Sequence, residues 1–138
     1  MKRTTPISEI MTTEVVTLNV ADRLETAEKL FKKYKIRHIP VVKDKAVLGM
    51  LSYTDLLRIS FADVSDDETS IDAFVYDMFS IQQVMAKNLF MVAPNSTIKE
   101  VAELLSKKEF HALPVVEDNE LVGIVTTTDL INYLIAQL

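Results

Sequence analysis

The 138-residue sequence predicts an α/β fold of the α+β kind: two pseudo-symmetric repeats, each β-α-β-β-α, with small sheets packed against flanking helices. Three observations carry this expectation. The chain repeats itself at an offset of 74 residues, short β-branched runs alternate with stretches of helical three-four spacing, and 49% of the residues are hydrophobic. A chain of this length buries about two-thirds of its surface on folding, enough for a real core.

The repeat is anchored on the only two glycines, Gly49 and Gly123. Residues 7–58 fall on 81–132 without a gap and share twelve identities in 52 positions. The identities cluster at Pro-Val-Val-x-Asp (40–44 and 114–118) and at Gly-x-x-x-x-Thr-Asp-Leu (49–56 and 123–130), and they include the pair Met11/Met85. Chance does not arrange matches in this way. The domains are therefore set at 7–58 for the first repeat, 59–80 for a connector and 81–138 for the second repeat with its tail.

Each copy opens on a short apolar run, Val15–Leu18 or Leu89–Val92, too short for a helix and read as a strand. Leu24, Ala27, Leu30, Phe31 and Tyr34 then recur at helical spacing, as do Ile98, Val101, Ala102 and Leu105. Asp22 and Ser96 stand in front as N-caps, which places helices near 23–35 and 97–108. Pro40 and Pro114 end any helix and open the strands Val41-Val42 and Val115-Val116. Polar turns at Lys43-Asp44-Lys45 and Glu117-Asp118-Asn119-Glu120 lead into strands Ala46–Ser52 and Leu121–Thr126, and helices starting near Thr54 and Thr128 close the copies. One copy has too few elements to cover both sides of its sheet, so two are expected to pack together. Each glycine is expected to let the backbone bend beside a binding cleft.

The formal charge of −5 is unevenly spread. Residues 59–80 hold six acids and no base, whereas 7–58 hold nine bases and seven acids and 81–132 hold four bases and seven acids. No concentrated basic face is present, so binding to nucleic-acid phosphates is disfavoured. Within the connector, the polar run Ser65–Ser70 reads as a loop, and Ile71, Phe74, Val75, Met78 and Phe79 as a short amphipathic helix. No apolar run reaches the roughly 20 residues that span a bilayer, and no signal peptide follows Met1. The absence of cysteine excludes disulfides, thiol nucleophiles and thiolate metal sites. A cytoplasmic location without a membrane partner is the expectation. No Ser-His-Asp order, metal-ligand cluster or Gly-x-x-x-x-Gly-Lys-Ser/Thr loop appears, so no catalysis and no metal or cofactor is expected.

The residues Arg37-His38-Ile39-Pro40-Val41-Val42-Lys43-Asp44 and Gly49-Met50-Leu51-Ser52-Tyr53-Thr54-Asp55-Leu56 carry a resemblance. So do their counterparts His111–Asp118 and Gly123–Leu130. The chain resembles a tandem pair of CBS (cystathionine β-synthase) domains, or Bateman module, standing alone. The resemblance implies two pseudo-symmetric sites in the cleft between the copies for adenosine-containing ligands such as AMP, ADP, ATP or S-adenosylmethionine. Asp55 and Asp129 match the aspartate that accepts hydrogen bonds from both ribose hydroxyls, a task suited to a carboxylate with two acceptor oxygens. Thr54 and Ser52, and Thr128 and Thr126, match the hydroxyls that face the phosphates, at helix starts where free N–H groups favour an anion. Arg37 and His111 match the residue that contacts phosphate; a permanent guanidinium and an imidazole imply different phosphate preference and pH response. For adenine, the resemblance implies Ile124 with Val16 and Ile36 at the Asp129 site, and Met50 with Phe90 and Phe110 at the Asp55 site. Phe110 can equally fill and close its pocket.

Structural roles compete for the same residues. Asp55 and Asp129 can cap the helices that follow them. Thr54 and Thr128 are good turn residues, Arg37 can pair with a carboxylate, His111 can be an ordinary surface or core histidine, and Met11, Met50 and Met85 suit core filling. Pro94 in the second copy is Val20 in the first, so the entry to the first helix is expected to differ. The reading is a regulatory, signal-transducing module that binds an adenosine ligand, forms a homodimer and acts on a protein the sequence does not identify. Its rival is a ligand-free dimerising scaffold.

Overall fold

The computed structural model describes residues 4–61, 73–108 and 110–138. After a 3-10 turn at Ile7–Glu9, the elements are β1 (Leu18–Asn19), α1 (Leu24–Tyr34), β2 (His38–Lys43), β3 (Ala46–Ser52) and α2 (Tyr53–Phe61). They continue as α3 (Ala73–Met78), α4 (Ile81–Val84), α5 (Ile98–Lys107), β4 (Ala112–Glu117), β5 (Glu120–Thr126) and α6 (Thr127–Gln137). The mixed α/β class is as the sequence predicts. The polar run 65–70 and Ile71 lie outside the described residues.

The chain divides into two compact units, residues 16–88 and residues 1–15 with 89–138. Each has its own core. In the first, Leu18, Leu24, Ala27, Phe31, Ile39, Val41, Leu51 and Leu56 are buried together with Tyr76, Ile81 and Met85. In the other, Ile7 joins Ile98, Val101, Leu105, Leu113, Val115 and Val125. The stretch ahead of each repeat's first strand thus packs with the opposite repeat: Ile7 with the second, Ile81 with the first.

The two β-hairpins have the same construction. β2 pairs antiparallel with β3 and β4 with β5, and in each the register slips after the central valine, leaving Leu48 and Val122 as the bulged residues. Asp118 and Asn119 both take positive φ, 52° and 64°, as a tight two-residue turn requires; Asp44 has φ 57°. The Asp44/Asp118 identity follows from this left-handed position, which aspartate tolerates.

The prolines do not open the strands. Pro40 and Pro114 sit inside β2 and β4, opposite Met50 and Ile124. The N–H and C=O of Met50 are turned the other way, to Ala86 at 3.0 and 2.9 Å, so Pro40 and Met50 face each other as a non-hydrogen-bonded pair. A missing proline N–H costs that ladder nothing.

The opening strand is weaker than its apolar run suggests. β1 pairs parallel with β2 over two residues, and the second copy keeps only an isolated bridge from Val92 to Val115. The cause is one substitution. The Val20 N–H donates to the Val42 carbonyl at 3.0 Å, whereas its counterpart Pro94 has no N–H to give.

The helix caps also differ from expectation by one residue. Thr97, not Ser96, caps α5 by accepting from the Glu100 N–H, and α1 starts from Arg23 without a side-chain cap. Asp22 and Ser96 accept instead from the N–H groups of Asn19 and Ala93, closing the turns just upstream. Of the residues expected on the apolar face of the connector helix, Met78 at the end of α3 and Phe79 just after it are exposed (61% and 38%), whereas Tyr76, which the spacing does not place there, is buried.

Neither glycine takes positive φ, so neither position uses the backbone conformations open to glycine alone. A Cβ on Gly49 would lie 2.8 Å from the Ala86 carbonyl oxygen and against the Met85 thioether. One on Gly123 would lie 2.7 Å from the Met11 sulfur and 3.1 Å from the Thr12 carbonyl oxygen. The glycines leave room for a crossing strand segment whose backbone pairs with the next residue, Ala86 with Met50 and Thr12 with Ile124. The Met11/Met85 identity thereby finds its reason, because each methionine fills the space beside the other repeat's glycine.

Candidate functional site

Each Gly-to-Asp motif runs from the end of a strand into the first turn of a helix. α2 begins at Tyr53 and α6 at Thr127, so the aspartates are third in their helices and do not precede them. Ser52 Oγ accepts from the Asp55 N–H at 3.0 Å, and Asp55 Oδ2 accepts from the Ser52 N–H at 3.4 Å. Thr126 Oγ1 accepts from the Asp129 N–H at 3.2 Å, and Asp129 Oδ2 accepts from the Thr126 N–H at 2.9 Å. Both are reciprocal capping boxes. The aspartates thus do not precede their helices as N-caps; Ser52 and Thr126 are the N-caps, and the aspartates complete the boxes from the third helical position.

Capping uses only part of each side chain. Each carboxylate oxygen has two lone pairs, so Oδ1 and the second lone pair of Oδ2 can still accept. Ser52 and Thr126 keep their hydroxyl hydrogens for donation. Asp55, Asp129, Ser52 and Thr126 are half-buried and Thr54 and Thr128 exposed.

The free N–H groups at the helix starts are fewer than the motif alone implies. The Tyr53 N–H donates to the Arg37 carbonyl at 2.8 Å, and the Thr127 N–H to the His111 carbonyl at 3.0 Å. With the third N–H held by the cap, only those of Thr54 and Thr128, among these first three, have no acceptor among the described residues. The same two bonds pin Arg37 and His111 beside the helix starts. Arg37, Ser52, Thr54 and Asp55 are thus brought together in one unit, and His111, Thr126, Thr128 and Asp129 in the other.

The residues expected around adenine are placed as follows. Met50 and Ile124 are buried, at 6% and 7% exposure. Val16 and Ile36 are partly buried against the core of residues 16–88. Phe110 packs on the core of the other unit, and Phe90 is exposed. The two rings meet at 5.6 Å between centroids, with Lys108 Nζ 5.1 Å from the Phe90 ring. Val16 and Ile36 belong to a different unit from Ile124, and Phe90 and Phe110 to a different unit from Met50.

One neighbour was not singled out from sequence. Arg58 NH1 lies 3.6 Å from Asp55 Oδ1, one turn along α2, its side chain 75% exposed. The position 74 residues on is Asn132, and Asp129 has no ion pair among the described residues. The signal lay in the repeat alignment, as a difference where the surrounding residues agree. No group of three or more metal-ligating side chains occurs among the described residues, and no helix there is long and apolar enough to cross a membrane.

Comparison with known proteins bears on the same segments. The family model for the CBS domain matches residues 7–62 and again 81–136. The CBS domain-containing protein YhcV of Bacillus subtilis (strain 168) is 29% identical over 124 residues, which cover 90% of this chain and 81% of that one. Among solved structures, CBSX2 in complex with AMP aligns at TM-score 0.80 and 20% identity over 96% of this chain and 98% of that one. The CBS domain pair of protein MJ0100, in complex with 5′-methylthioadenosine and S-adenosyl-L-methionine, aligns at TM-score 0.79 and 22% identity over 97% and 98%.

Proposed function

The chain belongs to the CBS domain family, and from that premise we propose that it is a regulatory module sensing adenosine-containing ligands at its two Gly-to-Asp motifs. The observation that carries the reading is the duplication of one constellation. In both copies a half-buried aspartate with spare acceptor capacity, a capping hydroxyl, an exposed threonine and a backbone-pinned Arg37 or His111 gather at a helix start. A vicinal diol supplies two donors to the carboxylate, and the hydroxyls with the Thr54 or Thr128 N–H suit a phosphate. The complexes of CBSX2 with AMP and of MJ0100 with two adenosine derivatives support this class of ligand.

Signalling follows from linkage. Occupancy shifts the module between arrangements only by the ligand's differential affinity for them, and a regulated protein reads the shift. Calorimetric titration with AMP, ADP, ATP and S-adenosylmethionine tests the reading. Micromolar to millimolar binding is expected, weakened about tenfold or more at the altered motif by Asp55→Asn or Asp129→Asn, which keep a cap acceptor but lose the charge. Binding to none of the four, with the variants indistinguishable from the parent, sinks it.

A second reading, the homodimeric scaffold, has its own observation. Ile131, Leu134 and Ile135 on α6, followed by Leu138, are exposed at helical spacing (55%, 46%, 63% and 93%). A second copy covers such a stripe isologously. Light scattering at micromolar concentration should give a dimer that Ile131→Glu with Ile135→Glu dissociates; a monomeric parent removes this reading.

A further inference from the structure

We propose that the two motifs divide ligands by charge: the Asp55 motif takes an adenosine ligand carrying phosphate, the Asp129 motif one that is uncharged or cationic. The inference rests on the reading that each motif holds an adenosine ribose. The backbone frame is the same in both copies, since the cap boxes and the pins at Arg37 and His111 recur. Ligand preference therefore lies in side chains at equivalent positions, and at the motifs themselves the residue pinned to the helix start and the residue one turn after the aspartate both differ in charge. Arg37 stands for His111, and Arg58 for Asn132.

At the Asp55 motif, Arg58 lies beside the carboxylate and Arg37 is held at the helix start through its carbonyl, so two residues of the motif carry a guanidinium. At the Asp129 motif the equivalent positions hold His111, likewise held through its carbonyl, and Asn132. The wider chain leans the same way, with nine bases to seven acids in 7–58 and four to seven in 81–132. A phosphate is attracted to the first environment and repelled by the second, while a sulfonium is treated the opposite way.

Arg58 sharpens the division by acting in both directions. At 3.6 Å from Asp55 Oδ1 it draws electron density from the oxygen that Ser52 does not occupy, which weakens that oxygen as an acceptor for the diol of a neutral ligand. Being 75% exposed, it can also turn to an incoming phosphate, gaining a strong partner and freeing Oδ1. An uncharged nucleoside thus binds against Arg58 and a nucleotide binds with it. Asn132 does neither.

Calorimetry with AMP, adenosine and S-adenosylmethionine, on proteins with one motif disabled, tests this. Asp129→Ala leaves the first motif and Asp55→Ala the second; circular dichroism confirms folding, and Asp→Asn versions stand in where loss of the cap unfolds the chain. The AMP-to-adenosine affinity ratio should be about tenfold higher at the first motif. Arg58→Asn should lower it there by roughly three- to fivefold, in keeping with one exposed charge pair, and Asn132→Arg should raise it at the second. S-adenosylmethionine should favour the second motif. Equal ratios at the two motifs, or a ratio unmoved by Arg58→Asn, overturn the division while leaving the ribose reading intact. Folded proteins that bind none of the three overturn both.

Discussion

Gly49 and Gly123 are glycines because a crossing segment occupies the space of a side chain, not because the backbone needs their freedom. The two positions differ in what blocks them. At Gly49 a Cβ would meet the Met85 sulfur and, at 2.8 Å, the carbonyl oxygen of Ala86, a residue whose N–H and C=O are both hydrogen-bonded to Met50. At Gly123 the nearest obstacle is likewise a methionine sulfur, that of Met11 at 2.7 Å, but the backbone stands farther off, with the Thr12 carbonyl oxygen at 3.1 Å. Gly49→Ala should therefore cost about 2–3 kcal/mol in urea unfolding and Gly123→Ala only about 1 kcal/mol, within the range for overpacking a tight contact. Shortening the methionine discriminates further: Met11→Ala should relieve most of the Gly123→Ala cost, whereas Met85→Ala should relieve only part of it at Gly49, because the Ala86 carbonyl oxygen stays at 2.8 Å. Equal costs at both positions would show that the methionine contact common to both, and not the closer backbone at Gly49, sets the cost. The repeat alignment made both glycines and both methionines legible as special. It could not show that a glycine of one repeat faces a methionine of the other, because that pairing joins residues 36 apart in one unit and 112 apart in the other with no periodicity to mark it.

The elements were legible where hydrophobic period and turn chemistry agreed, as in α1, α5, the two hairpins and their left-handed turn residues. They were misjudged where one hydrogen bond decides, as at Val20 against Pro94, or where neighbouring candidates compete for a cap, as at Ser96 and Thr97. The connector helix α3 is the instructive case. Its spacing points to Ile71, Phe74, Val75, Met78 and Phe79; of these Met78 and Phe79 are exposed, while Tyr76, off that pattern, is buried among Leu18, Leu24, Phe31 and Leu56. The ion pair of Arg23 with Asp77 beside it is exposed on both sides and adds little. Tyr76 thus fastens α3 to the core of the first repeat. Its hydroxyl is buried without a hydrogen bond among the described residues, and its pKa is raised, first by that burial and then by the nearby Glu28 carboxylate. Tyr76→Ala should cost about 3–5 kcal/mol, but Tyr76→Phe, which removes a polar group lacking a hydrogen bond, should be neutral or mildly stabilising. The pH dependence has a definite sign. An unfolded tyrosine ionises near pH 10, so a phenol whose folded pKa lies higher contributes stability below that pH and loses it as pH rises further. Chemical denaturation at pH 8 and at about pH 10.5 should show an alkaline loss in the parent that is reduced in Tyr76→Phe; an identical loss in both would place its origin elsewhere.

Taken whole, the molecule carries its acidity in residues 59–80 and leaves the two motif-bearing repeats close to neutral. Two compact units, each with its own core, make thermal stability a sensitive reporter of ligand. Anything that binds the folded chain and not the unfolded one stabilises it by RT ln(1 + [L]/Kd), about 2.7 kcal/mol at a hundredfold excess over Kd. For a chain of this size that is a rise in Tm of roughly 5–10 °C. The rise should be larger for AMP at low salt than at about 0.5 M salt, because the partly exposed Arg37 and Arg58 are screened once the Debye length falls to a few ångström. A rise produced by adenosine should change little with salt, since the nucleoside brings no charge. Loss of the AMP-induced rise in Asp55→Asn, with retention of the adenosine-induced rise through Asp129, should follow if the first motif serves nucleotides. Screening acts on the attraction between the arginines and the phosphate, whereas the substitution acts on the hydrogen bonds between carboxylate and ribose, so the two are separable: any AMP response left in Asp55→Asn protein should still fall as salt rises. A scan of Tm against salt for the two ligands in both proteins measures all four quantities. An AMP-induced rise indifferent to salt in the parent would locate the recognition in adenine and ribose alone and remove any part for the two arginines.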